Sequence, residues 1–263
     1  MKINSVKIIT VLSILASGLW ILGLGVMVQD QFFHQATPLP PKVATEAKTN
    51  DRTLHLVALG DSLTRGTGDE TGKGYVGYLV DELRTKTKQP LQLTNLAIKG
   101  LRSAELVQQL RQPEVERQLK QADFVFMTIG GNDLFQGGEA LRNLSFARIQ
   151  QTKAMYLRNL ETIFRTIRAV NPHAVVFYIS LYNPFKQLNN GKTTSEIVRQ
   201  WNYDSAEVAA RYPNIIAVPT YDLFELHVNE YLYSDQFHPN KEGYKLIGER
   251  VASLITFTKG GEK

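Results

Sequence analysis

Short apolar runs alternate with amphipathic stretches along most of this chain, and that alternation restricts the fold more than any other feature. Leu54-His55-Leu56-Val57-Ala58-Leu59 reads as a strand ending at Gly60. Leu91 to Ala97, Ala174 to Leu181 and Ile215 to Val218 read the same way. Phe124 to Ile129 is a near-continuous apolar run, as expected of a strand covered on both faces. Between these runs the spacing turns helical. Gly74 to Lys86 carries Tyr75, Leu79 and Leu83 on one face. Thr152 to Val170 carries Leu157, Leu160, Phe164 and Ile167 and stops at Asn171-Pro172. Ser103 is placed to cap a helix with Glu105 in its first turn, and Pro113 breaks or restarts that helix. Thr194 to Arg211 is a further helix, and Asn240 is placed to cap the last one. Strands alternating with helices imply an α/β fold: a parallel sheet with right-handed crossovers and helices on both faces.

The N-terminal segment has a different character. Ile8 to Val28 runs 21 residues without a charge, after Lys2 and Lys7. A helix of that length covers a bilayer core of about 30 Å. The flanking charges orient it with the N-terminus in the cytoplasm and the remainder outside. An uncleaved transmembrane anchor is expected over residues 1–29, with cleavage after the segment and secretion as the alternative. Residues 30–53, with Pro38, Pro40 and Pro41, read as an extended linker. The soluble domain is expected over 54–257, followed by a short tail at 258–263.

Composition narrows the chemistry. There are no cysteines, which removes disulfides, thiol catalysis and Cys-ligated zinc. The five histidines show no metal-ligand spacing, so no metal or cofactor is expected. The net charge of +5 is dispersed and no basic stripe is interleaved with aromatics, which disfavours nucleic acid as a partner.

Four motifs follow four of the predicted strands or precede the last helix. In an open α/β sheet, loops beyond the carboxyl ends of the strands converge on one crevice. Ser62, in Gly60-Asp61-Ser62-Leu63, offers a hydroxyl that becomes a nucleophile when a base takes its proton. Asp235 and His238 are spaced so that the carboxylate can hold one imidazole nitrogen while the other faces Ser62. Asn132, in Gly130-Gly131-Asn132-Asp133, can donate its amide to an oxyanion, and Gly131 would let the backbone come close. Gly100 and Ser62 can add backbone N–H groups. Asp61 is expected to bond local amides, and Asn95 to bridge its own loop. Alone, the Ser62, Gly100 and Asn132 motifs read more readily as turns or helix caps, and Asp235 with His238 reads at least as readily as a helix-entry motif.

Together and in this order, the motifs resemble the GDSL or SGNH hydrolase family, whose letters name Ser, Gly, Asn and His. The matching positions are Ser62, Gly100, Asn132 and His238, with Asp235 as the acid. Ser103 also falls where the family often has Ser or Thr. The resemblance implies a three-layer α/β/α, flavodoxin-like fold with a five-stranded sheet in the order 2-1-3-4-5. It further implies metal-free hydrolysis of esters or thioesters. The expected protein is a membrane-tethered, extracytoplasmic serine esterase acting on small-molecule, lipid or glycan esters. Acyl transfer to envelope glycans and an inactive surface binding module are the alternatives. The stretches from Gly137 to Phe146 and from Asn183 to Thr193 are expected to run over the sheet. Tyr182, Asn183, Pro184 and Phe185 are candidates for shaping an acyl pocket, with plain packing as their other reading.

Overall fold

The computed structural model describes residues 43–45, 52–136 and 145–257. The first elements are β1 (Val43–Thr45), β2 (Leu54–Gly60), the short helix α1 (Ser62–Arg65), α2 (Gly74–Lys86) and β3 (Leu91–Asn95). Next come α3 (Ser103–Gln109), α4 (Pro113–Gln121), β4 (Phe124–Thr128), α5 (Gly131–Phe135) and α6 (Phe146–Val170). Then follow β5 (Val175–Ile179), α7 (Gly191–Ala209) and β6 (Ile215–Val218). The chain closes with α8 (Tyr221–Glu225), α9 (Val228–Tyr231), α10 (Lys241–Ser253) and β7 (Ile255–Phe257).

Five strands form one sheet in the order β3-β2-β4-β5-β6, all neighbours parallel. Numbered within the sheet, this is the expected 2-1-3-4-5. Successive side chains of a strand point to opposite faces, and the two halves of the core follow that rule. Leu56, Ala58, Phe124, Phe126 and Phe177 pack beneath α2 and α10. Val57, Leu59, Val125, Met127, Val176 and Tyr178 pack beneath α3, α4, α6 and α7. Phe126 and Phe177 stack across neighbouring strands with centroids 5.5 Å apart. Truncating a buried ring of this kind costs about 3–5 kcal/mol.

Several boundaries differ from the sequence expectation. Helix α6 opens at Phe146 rather than Thr152, because Ser145 accepts the Arg148 N–H and Ile149 already faces the core. Pro113 restarts the helical run as a second helix, one of the two outcomes expected of it. Ser103 lies inside the first turn of α3 instead of capping it. The cap position is Arg102, whose N–H donates to Glu105 Oε2 at 2.8 Å. Within the expected linker, Val43–Thr45 pairs in parallel with Ile255–Phe257, so that part is a strand and not a free tether. The anchor at 1–29, the rest of the linker up to residue 51, the loop at 137–144 and the tail at 258–263 lie outside the described residues. Among the described residues, no helix is long and apolar enough to cross a membrane.

Candidate active site

Gly60 ends β2 with φ +113°, and a Cβ there would stand 1.8 Å from the Thr128 carbonyl oxygen. Only glycine lets β2 turn this close to β4. Asp61 then caps α1, its Oδ1 accepting the Leu63 N–H at 3.1 Å. Ser62 is thereby the first residue of a helix, where backbone N–H groups lack intrahelical partners. Its own N–H makes no hydrogen bond among the described residues. Asp61 does bond a local amide, as expected, and it also takes a hydrogen bond that the sequence did not reveal. Thr128 Oγ1 donates to Asp61 Oδ1 at 2.7 Å. Thr64 and Thr128 then hold each other, with their hydroxyls 2.7 Å apart. Asp61 Oδ2 is buried without a partner among the described residues. Burial pushes the Asp61 carboxyl up to about 7; the bonds from Thr128 and Leu63 act against this, and the charge of Asp133 adds to it.

Asp235 and His238 come from the loop between α9 and α10. Asp235 Oδ1 accepts the N–H groups of Phe237 at 3.0 Å and His238 at 2.9 Å. Gln236 takes φ +54° to let the loop close. The remaining oxygen, Oδ2, receives His238 Nδ1–H at 2.6 Å. His238 Nε2 is then left facing Ser62 Oγ at 2.8 Å, across 176 positions of sequence. Burial acts to raise the Asp235 carboxyl, but the bonds from the His238 ring and from two backbone N–H groups outweigh it and hold the group below its ordinary range. An ionised carboxylate fixes the imidazole with its proton on Nδ1, so Nε2 can accept from Ser62. Gly68 supports this seat, since a Cβ there would press within 3.0 Å of His238 Cβ and 2.6 Å of the Pro239 carbonyl. No sequence pattern marked Gly68, because its constraint comes from a loop 170 positions away.

Two other loops carry the remaining expected donors, Asn132 and Gly100. Asn132 Nδ2 gives one hydrogen to the Leu101 carbonyl at 3.0 Å, leaving the second unspent among the described residues. Gly100 takes φ +81° with open space where a Cβ would stand, and its N–H has no partner among the described residues. Asn95 braces this loop as expected, donating to the Thr64 carbonyl at 2.9 Å and accepting the Ala97 N–H at 3.1 Å. A Cβ on Gly131 would meet only Leu181, at an ordinary 3.7 Å, which leaves room beside that backbone, whereas one on Gly130 would strike the Tyr156 ring at 2.8 Å.

The residues after β5 divide in function. Tyr182 stacks on Phe224 and donates to the Phe237 carbonyl at 2.5 Å, while Asn183 is buried and ties down Thr194 and Ser195. Both are packing residues. Phe185 instead joins Phe135 and Phe237, with ring centroids 5.0 to 5.9 Å apart, and Phe237 lies edge-on to the His238 ring at 5.0 Å. Among the described residues, no group of three or more His, Asp or Glu side chains is placed to hold a metal ion.

This arrangement can take a proton from a hydroxyl and offer N–H groups to an oxyanion, and known proteins share its frame. The uncharacterized protein YpmR of Bacillus subtilis (strain 168) is 37% identical over 217 residues, covering 81% of this chain and 85% of that one. The spore germination lipase LipC of Bacillus licheniformis is 27% identical, covering 76% of this chain and 95% of LipC. The crystal structure of the lipase Lip_vut3 from a goat rumen metagenome matches with a TM-score of 0.70 at 26% identity, over 76% of this chain and 97% of the lipase. The family model for GDSL-like lipases and acylhydrolases matches residues 58–246, a span that holds Ser62, Gly100, Asn132, Asp235 and His238. By that match, and by its likeness to YpmR, the chain belongs to the GDSL-like Lipase/Acylhydrolase family, whose members cleave esters.

Proposed function

We propose that this protein is a serine esterase working through an acyl-enzyme on Ser62. The observation that carries the reading is the continuous line from Asp235 Oδ2 to His238 Nδ1 at 2.6 Å and from His238 Nε2 to Ser62 Oγ at 2.8 Å. His238 takes the Ser62 proton as Oγ attacks the ester carbonyl, then returns it to the departing alcohol. A water activated by the same imidazole releases the acid. The Gly100 and Ser62 N–H groups and the second Asn132 amide hydrogen are assigned to the oxyanion, because they are donors without a partner among the described residues. Removing one such donor typically costs about 3–4 kcal/mol of transition-state stabilisation.

The aromatic group of Phe135, Phe185 and Phe237 beside His238 favours an ester with an apolar acyl or alcohol part. The lipase names of LipC and Lip_vut3 support the same choice over acetylated glycans. The location is also part of the proposal. The 21 uncharged residues from Ile8 to Val28, after Lys2 and Lys7, tether the hydrolase to the outer face of the cell membrane. Turnover of p-nitrophenyl esters of increasing acyl length tests the substrate class, with kcat/KM rising beyond acetate as the expected result. A wild-type protein that turns over no ester and forms no fluorophosphonate adduct is instead a binding module.

A further inference from the structure

Ser103 and Asp133 belong to neither the proton line nor the set of proposed oxyanion donors, yet they are among the most tightly bonded polar groups near the site. Ser103 is fully buried. Its N–H donates to Asp133 Oδ2 at 3.0 Å, and its hydroxyl donates to Asp133 Oδ1 at 2.6 Å. Asn159, on α6, donates its amide to the same hydroxyl oxygen at 2.9 Å. The hydroxyl proton therefore has one direction available, toward the carboxylate. Ser103 follows Gly100 by three positions, and Asp133 follows Asn132 directly. The Asn132 amide reaches the Leu101 carbonyl between them at 3.0 Å.

We propose that Ser103 and Asp133 are positioning residues that clamp the Gly100 loop to the Asn132 loop and so set the gap between two oxyanion donors. The proposal rests on the esterase reading and adds to it. Each donor comes from a different strand end, and neither loop alone fixes the distance between them. The clamp supplies two hydrogen bonds across 30 positions of sequence, on the side of the loops facing α6. A small shift in such donors costs most when charge develops on the substrate oxygen and little when the neutral ester binds. Burial also raises the Asp133 carboxyl above its ordinary value, against the pull of the Ser103 bonds. Either protonation state leaves an oxygen able to accept from the hydroxyl.

The test uses the purified protein with p-nitrophenyl acetate and a fluorophosphonate probe. Asp133→Asn keeps the shape but places an amide against a donor. Ser103→Ala removes the hydroxyl bond, and Asn159→Ala, at a half-buried position, loosens it more gently. Expected are kcat losses of about 10–100-fold in Asp133→Asn and Ser103→Ala and a smaller loss in Asn159→Ala, with KM within about threefold of wild type. Fluorophosphonate labelling slows in parallel, and Ser103→Ala costs little more once Asp133→Asn is present. Folded variants with wild-type kcat, or with a raised KM and unchanged kcat, overturn the clamp while the esterase reading stands. A wild type without turnover or adduct overturns both.

Discussion

At the amino end of the sheet, a cavity of about 610 Å³ is lined by Arg52, His55, Lys120, Asp123, Asn171 and His173. At the carboxyl end, Ser62 and His238 meet at 2.8 Å beyond β2, and Asn132 follows the neighbouring strand β4. Counting chemically capable side chains favours the first region, and tracing their hydrogen bonds favours the second. Asp123 accepts from Arg52 at 2.6 Å and from the His55 N–H at 2.9 Å. Asn171 donates to the Leu119 and Ala122 carbonyls and accepts from the His173 and Ala174 N–H groups. Asp123 and Asn171 are thus occupied with closing strand and helix ends. At the carboxyl end, three N–H donors have no partner among the described residues, and the Ser62 hydroxyl faces only His238. Such unspent groups, rather than the volume of a hollow, support the proposed placement of the substrate.

The strongest way to break this contrast is to remove the hydroxyl or the base. Ser62→Ala and His238→Ala should each lower p-nitrophenyl acetate turnover by about 10⁴-fold or more with the fold retained by circular dichroism. Asn132→Ala should lower kcat by about 10²–10³-fold in steady-state assays. A loss confined to KM would move Asn132 out of the oxyanion role. Asn171→Ala sharpens the other side. It strips partners from buried backbone groups, so urea unfolding should show a loss of about 1–3 kcal/mol with kcat essentially unchanged. A large fall in kcat there would erase the distinction between the two ends.

A pH-dependent effect concerns Asp61. Its folded carboxyl is raised to about 7 from an ordinary 3.8, so the folded state holds a proton that the unfolded state has already lost. The stability tied to that proton is fully present below the ordinary value and is lost as pH rises to about 7. Asp61→Asn should flatten the fall in thermal midpoint between pH 4 and pH 7, at roughly 2–4 °C per kcal/mol for a domain of this size. Parallel slopes in variant and wild type would show that Asp61 is not the titrating group.

What could be read from the sequence was whatever a local pattern encodes. Five strands followed from apolar runs, and Ser62, Gly100 and Asn132 sit in the loops after three of them, whereas the order of the strands in the sheet was implied by the family resemblance. The short spacing of Asp235 and His238 predicted their bond, because the loop closes on itself through Asp235 and Gln236. The remaining features depend on contacts that no window of sequence contains. Ser103 looked like a cap because it precedes an apolar helix, but Asp133 claims its hydroxyl across 30 positions. The need for glycine at position 130 is set by the Tyr156 ring, 26 positions away. The pairing of β1 with β7 joins the two ends of the described chain, where neither segment has a strong strand pattern of its own.

Mass spectrometry after fluorophosphonate treatment puts the Ser62 assignment to its most direct test. A single covalent adduct on the peptide carrying Ser62, absent from Ser62→Ala and strongly slowed in His238→Ala, is the result expected of a hydroxyl activated by that imidazole. An adduct on another residue, or equal labelling with and without His238, would contradict it.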